Sequence, residues 1–371
     1  MTSLLYSSTK DADMYYLTKV QVADPFFALI TDSQTFIFLD HREYGVFVEK
    51  NTNPNIELIL VNSLLDRARE LAGDSTVVQQ LALLIIKEYG EGNTIAVPPS
   101  FPLLLAKFLE RQRIIINVQQ PFFPNRLTKS MQEVQAITSA LKKTQIAFTY
   151  IENRLAEAEI KGDFIVGDTG EVLTSELLSQ EVEHVLLEQG MKNEEGMIIS
   201  CAQHAAIPHH SGSGALRPNQ TIICDIFPRD TQTGYFADMT RTYIKGDVST
   251  VLQEMYDAVQ LAQERAIKLI APGVPFADVH AACVQTFIQL GHKTKDEGFI
   301  HGTGHGLGVE IHEAPYVSAG SKATAEIGNV VTVEPGLYYS ELGGVRIEDV
   351  VVITKDGCKN LTNYPKVLQI P

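Results

Sequence analysis

At 371 residues, the chain is too long for one ordinary core and suits two domains. Hydrophobic residues make up 44% of it, which describes a globular protein, and a formal charge of −15 argues against nucleic acid or anionic membrane as a partner. No apolar run reaches the ~18–20 residues of a membrane helix. The start, Met1-Thr-Ser-Leu-Leu-Tyr-Ser-Ser-Thr9, lacks the basic and apolar regions of a secretion signal. Cys201, Cys224, Cys283 and Cys358 are scattered without a CxxC pair, so a reducing, cytoplasmic setting is expected.

The first ~125 residues read as a small mixed α/β domain. Phe26–Ile30 and Thr35–Leu39 are β-prone runs around Thr31-Asp-Ser-Gln34 and predict a hairpin. Residues 63–89, rich in Leu, Ala and Glu, carry helical periodicity. The two prolines of Gln119-Gln-Pro-Phe-Phe-Pro-Asn125 then mark the domain boundary, giving domains 1–125 and 126–371.

In the second domain, Ser130-Met-Gln-Glu133 is a capping box that opens a helix running towards Glu159. Further helices are predicted over about 174–189, 249–270 and 276–290. Between them lie β-like runs at 196–200, 221–227, 330–334 and 349–354. No strand–Gly-rich turn–helix unit of dinucleotide type is present. An α+β fold follows, with helices covering one face of a curved antiparallel sheet.

Eight of the ten histidines fall between His204 and His312. The strand Thr221-Ile-Ile-Cys-Asp225 ends on a carboxylate, and Asp238 follows in Gly234-Tyr-Phe-Ala-Asp-Met-Thr-Arg-Thr242. These aspartates can face each other across neighbouring strands; the structural alternative pairs Asp238 with Arg241. Asp230, between them, reads as a solvated turn residue. The segment His301-Gly-Thr-Gly-His-Gly-Leu-Gly-Val-Glu-Ile-His-Glu313 is too glycine-rich for a zinc-binding helix, and Leu307 breaks its only GxGxxG. Cys201 and His204 lack a third, orienting group and do not make a nucleophile pair.

Val331-Thr-Val-Glu-Pro-Gly336 and Gly343-Gly-Val-Arg-Ile-Glu-Asp349 each set a glutamate in an apolar strand. A buried carboxylate there costs several kcal/mol unless paired or metal-bound. Asp225, Asp238, His305, Glu334 and Glu348 form a hard, oxygen-rich donor set. It suits two divalent ions per chain, with Mn²⁺ expected and Co²⁺ or Zn²⁺ as alternatives.

With these motifs the sequence resembles the pita-bread metallopeptidases: aminopeptidase P, prolidase and methionine aminopeptidase. The likeness extends to the N-terminal domain, which is similar to that of creatinase and prolidase. It implies that the five residues bind the metals and that Glu334 is also the general base. It further implies that His209 and His312 contact the substrate carbonyl and the tetrahedral intermediate, supported by His301 and Arg346. The substrate implied is a proline-containing peptide, and a homodimer is the usual state. One departure is Asp225-Ile-Phe-Pro-Arg-Asp-Thr-Gln-Thr-Gly234, where Phe227 replaces a glycine and the loop is longer than usual.

Between the two Xaa-Pro activities, the sequence leans to the aminopeptidase. A dipeptidase must hold the free proline carboxylate, and several prolidases place an arginine shortly after the His-Glu-x-Pro stretch. Here no Arg or Lys occurs between His312 and Lys322, which leaves Arg229 as the alternative clamp. The alternative is an Xaa-Pro dipeptidase. A remoter one is a metal-free binding module, but that would lack several of the five ligands.

Overall fold

Phe26–Ile30 and Thr35–Leu39 pair antiparallel, from Phe27 opposite Phe38 to Ile30 opposite Thr35. Between them the Thr31 hydroxyl accepts the Gln34 N–H and so closes the turn. The computed structural model describes Thr2–Pro371, in two compact units that part between Arg126 and Leu127. In the first, the hairpin belongs to a six-stranded mixed sheet. The strand Thr2–Ser7 pairs antiparallel with Phe26–Ile30 and parallel with Thr94–Val97. The helical periodicity of residues 63–89 resolves into two helices, Asn62–Leu71 and Val77–Tyr89. Gly73, at φ +47°, lies in the break, and Thr76 with Gln79 then builds a complete capping box for the second helix.

The second unit opens with the 27-residue helix Met131–Glu157. Ser130 accepts the Glu133 N–H, and the Glu133 carboxylate accepts the Ser130 N–H, as the sequence predicts. Ile137, Leu141, Phe148, Ile151 and Leu155 are buried along one stripe. The other main helices are Ser175–Glu188, Thr250–Leu269 and Phe276–Gln289. No helix among the described residues is long and apolar enough to cross a membrane.

The strands of this unit form two main ladders. One runs in the order Met197–Cys201, Ile222–Ile226, Met239–Lys245, Gln369–Ile370. The other runs Glu313–Val317, Gly304–Gly306, Val330–Val333, Asp349–Thr354, Gly357–Asn360. A separate hairpin joins Gly336–Tyr339 to Gly343–Arg346. All of these pairings are antiparallel except that of Met239–Lys245 with Gln369–Ile370. Valines of the second ladder pack on the helices Thr250–Leu269 and Phe276–Gln289 around Val259, Phe276 and Phe287.

Candidate active site

Strand alternation brings the acidic residues to one surface. Asp225 lies opposite Thr240, not Asp238, so the two aspartates are offset by two residues. An offset of two keeps both side chains on the same face. Val333 pairs with Asp349, which sets Glu334 and Glu348 at the adjoining ends of neighbouring strands. His305 comes from the strand Gly304–Gly306, and its N–H is held by the Thr332 hydroxyl. Close packing requires a glycine beside it: a Cβ on Gly304 would lie 2.0 Å from the Thr332 carbonyl oxygen.

Asp225, Asp238, His305, Glu334 and Glu348 all line one cleft of about 670 Å³, together with His209, His301, His312 and Arg346. His305 Nε2 is 3.2 Å from Glu334 Oε1 and 3.5 Å from Asp238 Oδ2. One ligand atom each of Asp238, His305 and Glu348 lies within 4.8 Å of the others. The Thr240 hydroxyl donates to Glu348 Oε2 at 2.7 Å. The other oxygen, Glu348 Oε1, and Asp225 Oδ1 are buried without a hydrogen-bond partner among the described residues.

The electrostatics follow from this crowding. Burial, then the charge of Asp225, pushes the Asp238 carboxyl well above its ordinary value. Burial, then Asp238, does the same to Glu348. Burial opposes charge on His305, yet the Glu334 hydrogen bond and carboxylate outweigh it and hold the imidazole up at about 9. Burial likewise disfavours the Glu334 carboxylate, but its bond to His305 wins and lowers it to about 2. Four carboxylates therefore share one histidine and one arginine, with two oxygens unsatisfied. A hard divalent cation fits that donor set.

Beside the acids runs a directed chain of hydrogen bonds. Arg346 Nη2 donates to Asp225 Oδ2 at 2.7 Å, and Nη1 donates to the Tyr338 hydroxyl at 2.7 Å. Tyr338 lies 3.0 Å from His301 Nε2, and His301 Nδ1 lies 2.7 Å from the Gly302 carbonyl. Burial lowers the His301 pKa to about 4. A neutral ring with its proton on Nδ1 satisfies every link, with Tyr338 donating to Nε2. A Cβ on Gly336 would lie 2.4 Å from the Tyr338 oxygen, so the glycine after Glu334-Pro335 leaves space for this hydroxyl.

The model of metallopeptidase family M24 matches residues 131–355, over half of the chain. The chain belongs to that family. A sequence relative is the uncharacterized peptidase YqhT of Bacillus subtilis, 35% identical over 246 residues, or 66% of this chain and 65% of the relative. The Xaa-Pro dipeptidase of Lactobacillus delbrueckii subsp. lactis is 32% identical over 201 residues, 53% of each chain. In both cases the match spans less than two thirds of the relative's own length. Among solved structures, the Xaa-Pro dipeptidase from Bacillus anthracis has a TM-score of 0.81 at 23% identity. That likeness covers 100% of this chain and 95% of the other, and it supports the pita-bread fold.

Other expectations need correction within this family frame. Arg241 does not pair with Asp238; its Nη2 donates to Asp349 Oδ1, on the far side of the strand. Asp230 is buried rather than solvated. Its Oδ1 accepts the N–H groups of Gln232 and Thr233, and its Oδ2 lies 2.5 Å from Lys143 Nζ. Arg229 donates to the Gly234 carbonyl and to Glu194 and does not line the cleft. Burial pushes the Cys201 thiol up to about 11, which leaves it unreactive.

Sequence reasoning missed two residues. Tyr338 is one. The other is Gln263, fully buried on the helix Thr250–Leu269. Its amide donates to the carbonyls of Val333 and Ile347, the residues immediately before Glu334 and Glu348. A glutamine on the apolar face of an amphipathic helix was the available signal.

Proposed function

We propose that this chain is a metal-dependent peptidase that hydrolyses the bond before proline, with Xaa-Pro dipeptides as its preferred substrates. The observation that carries the hydrolytic reading is the convergence of four carboxylates and His305, two of the carboxylate oxygens being buried and unpartnered. The dipeptide preference rests on relatives named Xaa-Pro dipeptidase, and it replaces the lean to an aminopeptidase drawn from the missing arginine. Asp225, Asp238, His305, Glu334 and Glu348 would hold two divalent ions, with Mn²⁺, Co²⁺ or Zn²⁺ suited to the set. Bound there, such ions polarise a carbonyl and lower the pKa of water towards neutrality.

The residues of the chain supply the rest. Glu334, ionised and beside His305, takes the proton of the attacking water and returns it to the leaving nitrogen. His312 and His209 both line the cleft and donate to the oxyanion as it forms. Burial lowers the His312 pKa, so the ring donates as a neutral imidazole. Arg346 orients Asp225, and through Tyr338 it fixes the His301 ring on the wall of the site. A proline nitrogen has no N–H to offer, so a site that grips the carbonyl is suited to Xaa-Pro bonds.

A specific observation favours the second reading, an Xaa-Pro aminopeptidase. Among the described residues Arg346 is the only Lys or Arg lining the cleft, and it is engaged by Asp225, Tyr338 and the Pro208 carbonyl. The test is kcat/KM on Xaa-Pro against Xaa-Pro-Xaa with the same first residue and Mn²⁺ present. At least tenfold preference for the dipeptide is expected; the reverse preference selects the aminopeptidase. Failure to cleave either removes the peptidase reading.

A further inference from the structure

The ladder between Val330–Val333 and Asp349–Thr354 stops one residue short of the two glutamates, its last pair being Val333 with Asp349. One more step would set Glu334 opposite Glu348, and a second would set Pro335 opposite Ile347. Proline has no N–H to continue a ladder, and the strands part. The Glu334 N–H goes to the Thr303 carbonyl at 2.8 Å, and the Glu348 N–H to the Thr240 carbonyl at 3.1 Å. Neither N–H reaches the other glutamate. Gln263 spans the opening. Its Nε2 donates to the Val333 carbonyl at 2.9 Å and to the Ile347 carbonyl at 3.1 Å. Those carbonyls belong to the same planar peptide units as the Glu334 and Glu348 N–H groups. Each plane is therefore held at both ends, and a single amide holds both planes.

The rest of its surroundings favour an apolar residue. Val259, Ala262 and Ala266, beside Gln263 on the helix Thr250–Leu269, are buried in the core. Gln263 Oε1 is itself buried without a hydrogen-bond partner among the described residues. An unpaired amide oxygen costs stability, and a methionine of similar length would pack there without that cost. What the amide adds is its pair of donors, aimed at the two peptide units that carry Glu334 and Glu348.

We infer that Gln263 is a positioning residue that sets the separation of Glu334 and Glu348, and with it the capacity of the site for two ions at once. The inference rests on the metal-dependent reading above and says what spaces its ligands. Without the amide, two buried carbonyls lose a donor, and each peptide plane is free to tilt its glutamate. A single ion draws loosened carboxylates towards itself. Two ions also repel each other, and only carboxylates held in place offset that repulsion.

The experiment titrates the full chain, stripped of metal and freed of chelator, with Mn²⁺ by calorimetry in wild type, Gln263→Met, Gln263→Asn and Val259→Ala. In Gln263→Met the weaker of two Mn²⁺ binds about tenfold to a hundredfold more weakly, the scale for a partner that supports metal ligands. Gln263→Asn, with an amide one methylene shorter, reaches at most one carbonyl and falls between. Val259→Ala opens a cavity one turn away and keeps both affinities whatever its loss of Tm. Two Mn²⁺ held close couple magnetically, and the electron paramagnetic resonance of the coupled pair weakens in Gln263→Met at equal loading. Wild-type affinity for both ions in Gln263→Met overturns the inference. So does an equal loss in Val259→Ala, which assigns Gln263 to packing alone. If Gln263→Met does not fold, Gln263→Asn decides on the same readings. A wild type that binds two Mn²⁺ but cleaves no peptide contradicts the peptidase reading alone, and the affinities still decide the role of Gln263.

Discussion

Two buried charge clusters lie on opposite faces of the strand Met239–Lys245, and the protein treats them differently. On one face the fully buried Arg241 makes five hydrogen bonds, to the carbonyls of Pro365, Thr240, Glu348 and Tyr364 and to Asp349 Oδ1. Asp349 in turn binds Asn360 and Lys366. On the other face Asp225 and Glu348 each keep an unpartnered oxygen, and Asp238 and Glu348 are pushed towards protonation. Desolvation penalises both clusters. The first offsets it with internal partners and reads as architecture; the second leaves it open for a ligand. Saturation of hydrogen bonds, rather than burial or charge, separates a structural ionic cluster from a functional one.

The sharpest break of this contrast is at Glu348. Chelation should abolish hydrolysis, and Mn²⁺ or Co²⁺ should restore it. Glu348→Gln should lose metal and activity together, while the chelated variant unfolds at the same temperature as the chelated wild type or higher, since a buried carboxyl that folding must either desolvate or protonate has gone. Atomic emission for metal content and calorimetry for Tm check this. An active variant, or one several degrees less stable, would contradict the assignment of Glu348 to a ligand role.

Arg241→Ala should do the opposite. It strands Asp349 and several carbonyls, so a loss of about 3–5 kcal/mol is expected by urea denaturation. Chains that still fold should bind metal with the same stoichiometry. Equal metal loss in both variants would erase the distinction between the faces.

His312→Ala tests the cleft without touching the five acidic-site residues. Both ions should remain, while kcat falls about 10²-fold, the usual scale for one oxyanion-stabilising donor. The His312 ring lies edge-on to His305 at 4.3 Å between centroids, so metal content must be measured alongside the rate. Loss of metal would move His312 into the ligand set.

What was legible in the sequence was local or strictly periodic. The Ser130 capping box, the hairpin at Thr31–Gln34 and the strand-borne Glu334 and Glu348 each declare themselves within a few residues. What was not legible depends on partners far away in the chain. Gln263 reaches carbonyls 70 and 84 residues on, and Tyr338 gains its role from Arg346 and His301. The pairing of Asp238 with Arg241 failed because residues three apart on a strand point to opposite faces. Nearness in sequence suggested a contact that the pleat forbids.

Asp230 shows the same limit and gives the smallest of these tests. A turn aspartate usually meets water, but Lys143, 87 residues earlier, reaches one oxygen and the turn's own N–H groups take the other. Burial would raise the Asp230 carboxyl, yet the Lys143 hydrogen bond and the Thr233 and Gln232 N–H groups outweigh it and hold its pKa below the ordinary value. A carboxyl depressed in the folded state adds stability that is complete above its unfolded pKa, near 3.9. That stability is lost as the pH falls through the lower, folded value. Asp230→Asn keeps the turn acceptor but removes the charge opposite Lys143, so a loss of about 1.5 kcal/mol is expected at neutral pH, the lower end for a charged hydrogen bond because Lys143 is partly exposed. Urea unfolding of chelated wild type and variant at each pH cancels the groups they share. The gap between them should hold from pH 7 to about pH 5 and close below about pH 4. A gap that persists into acid would mean that Lys143 and Asp230 contribute through packing, and would leave the long Asp225–Gly234 loop shaped by its backbone rather than by this ion pair.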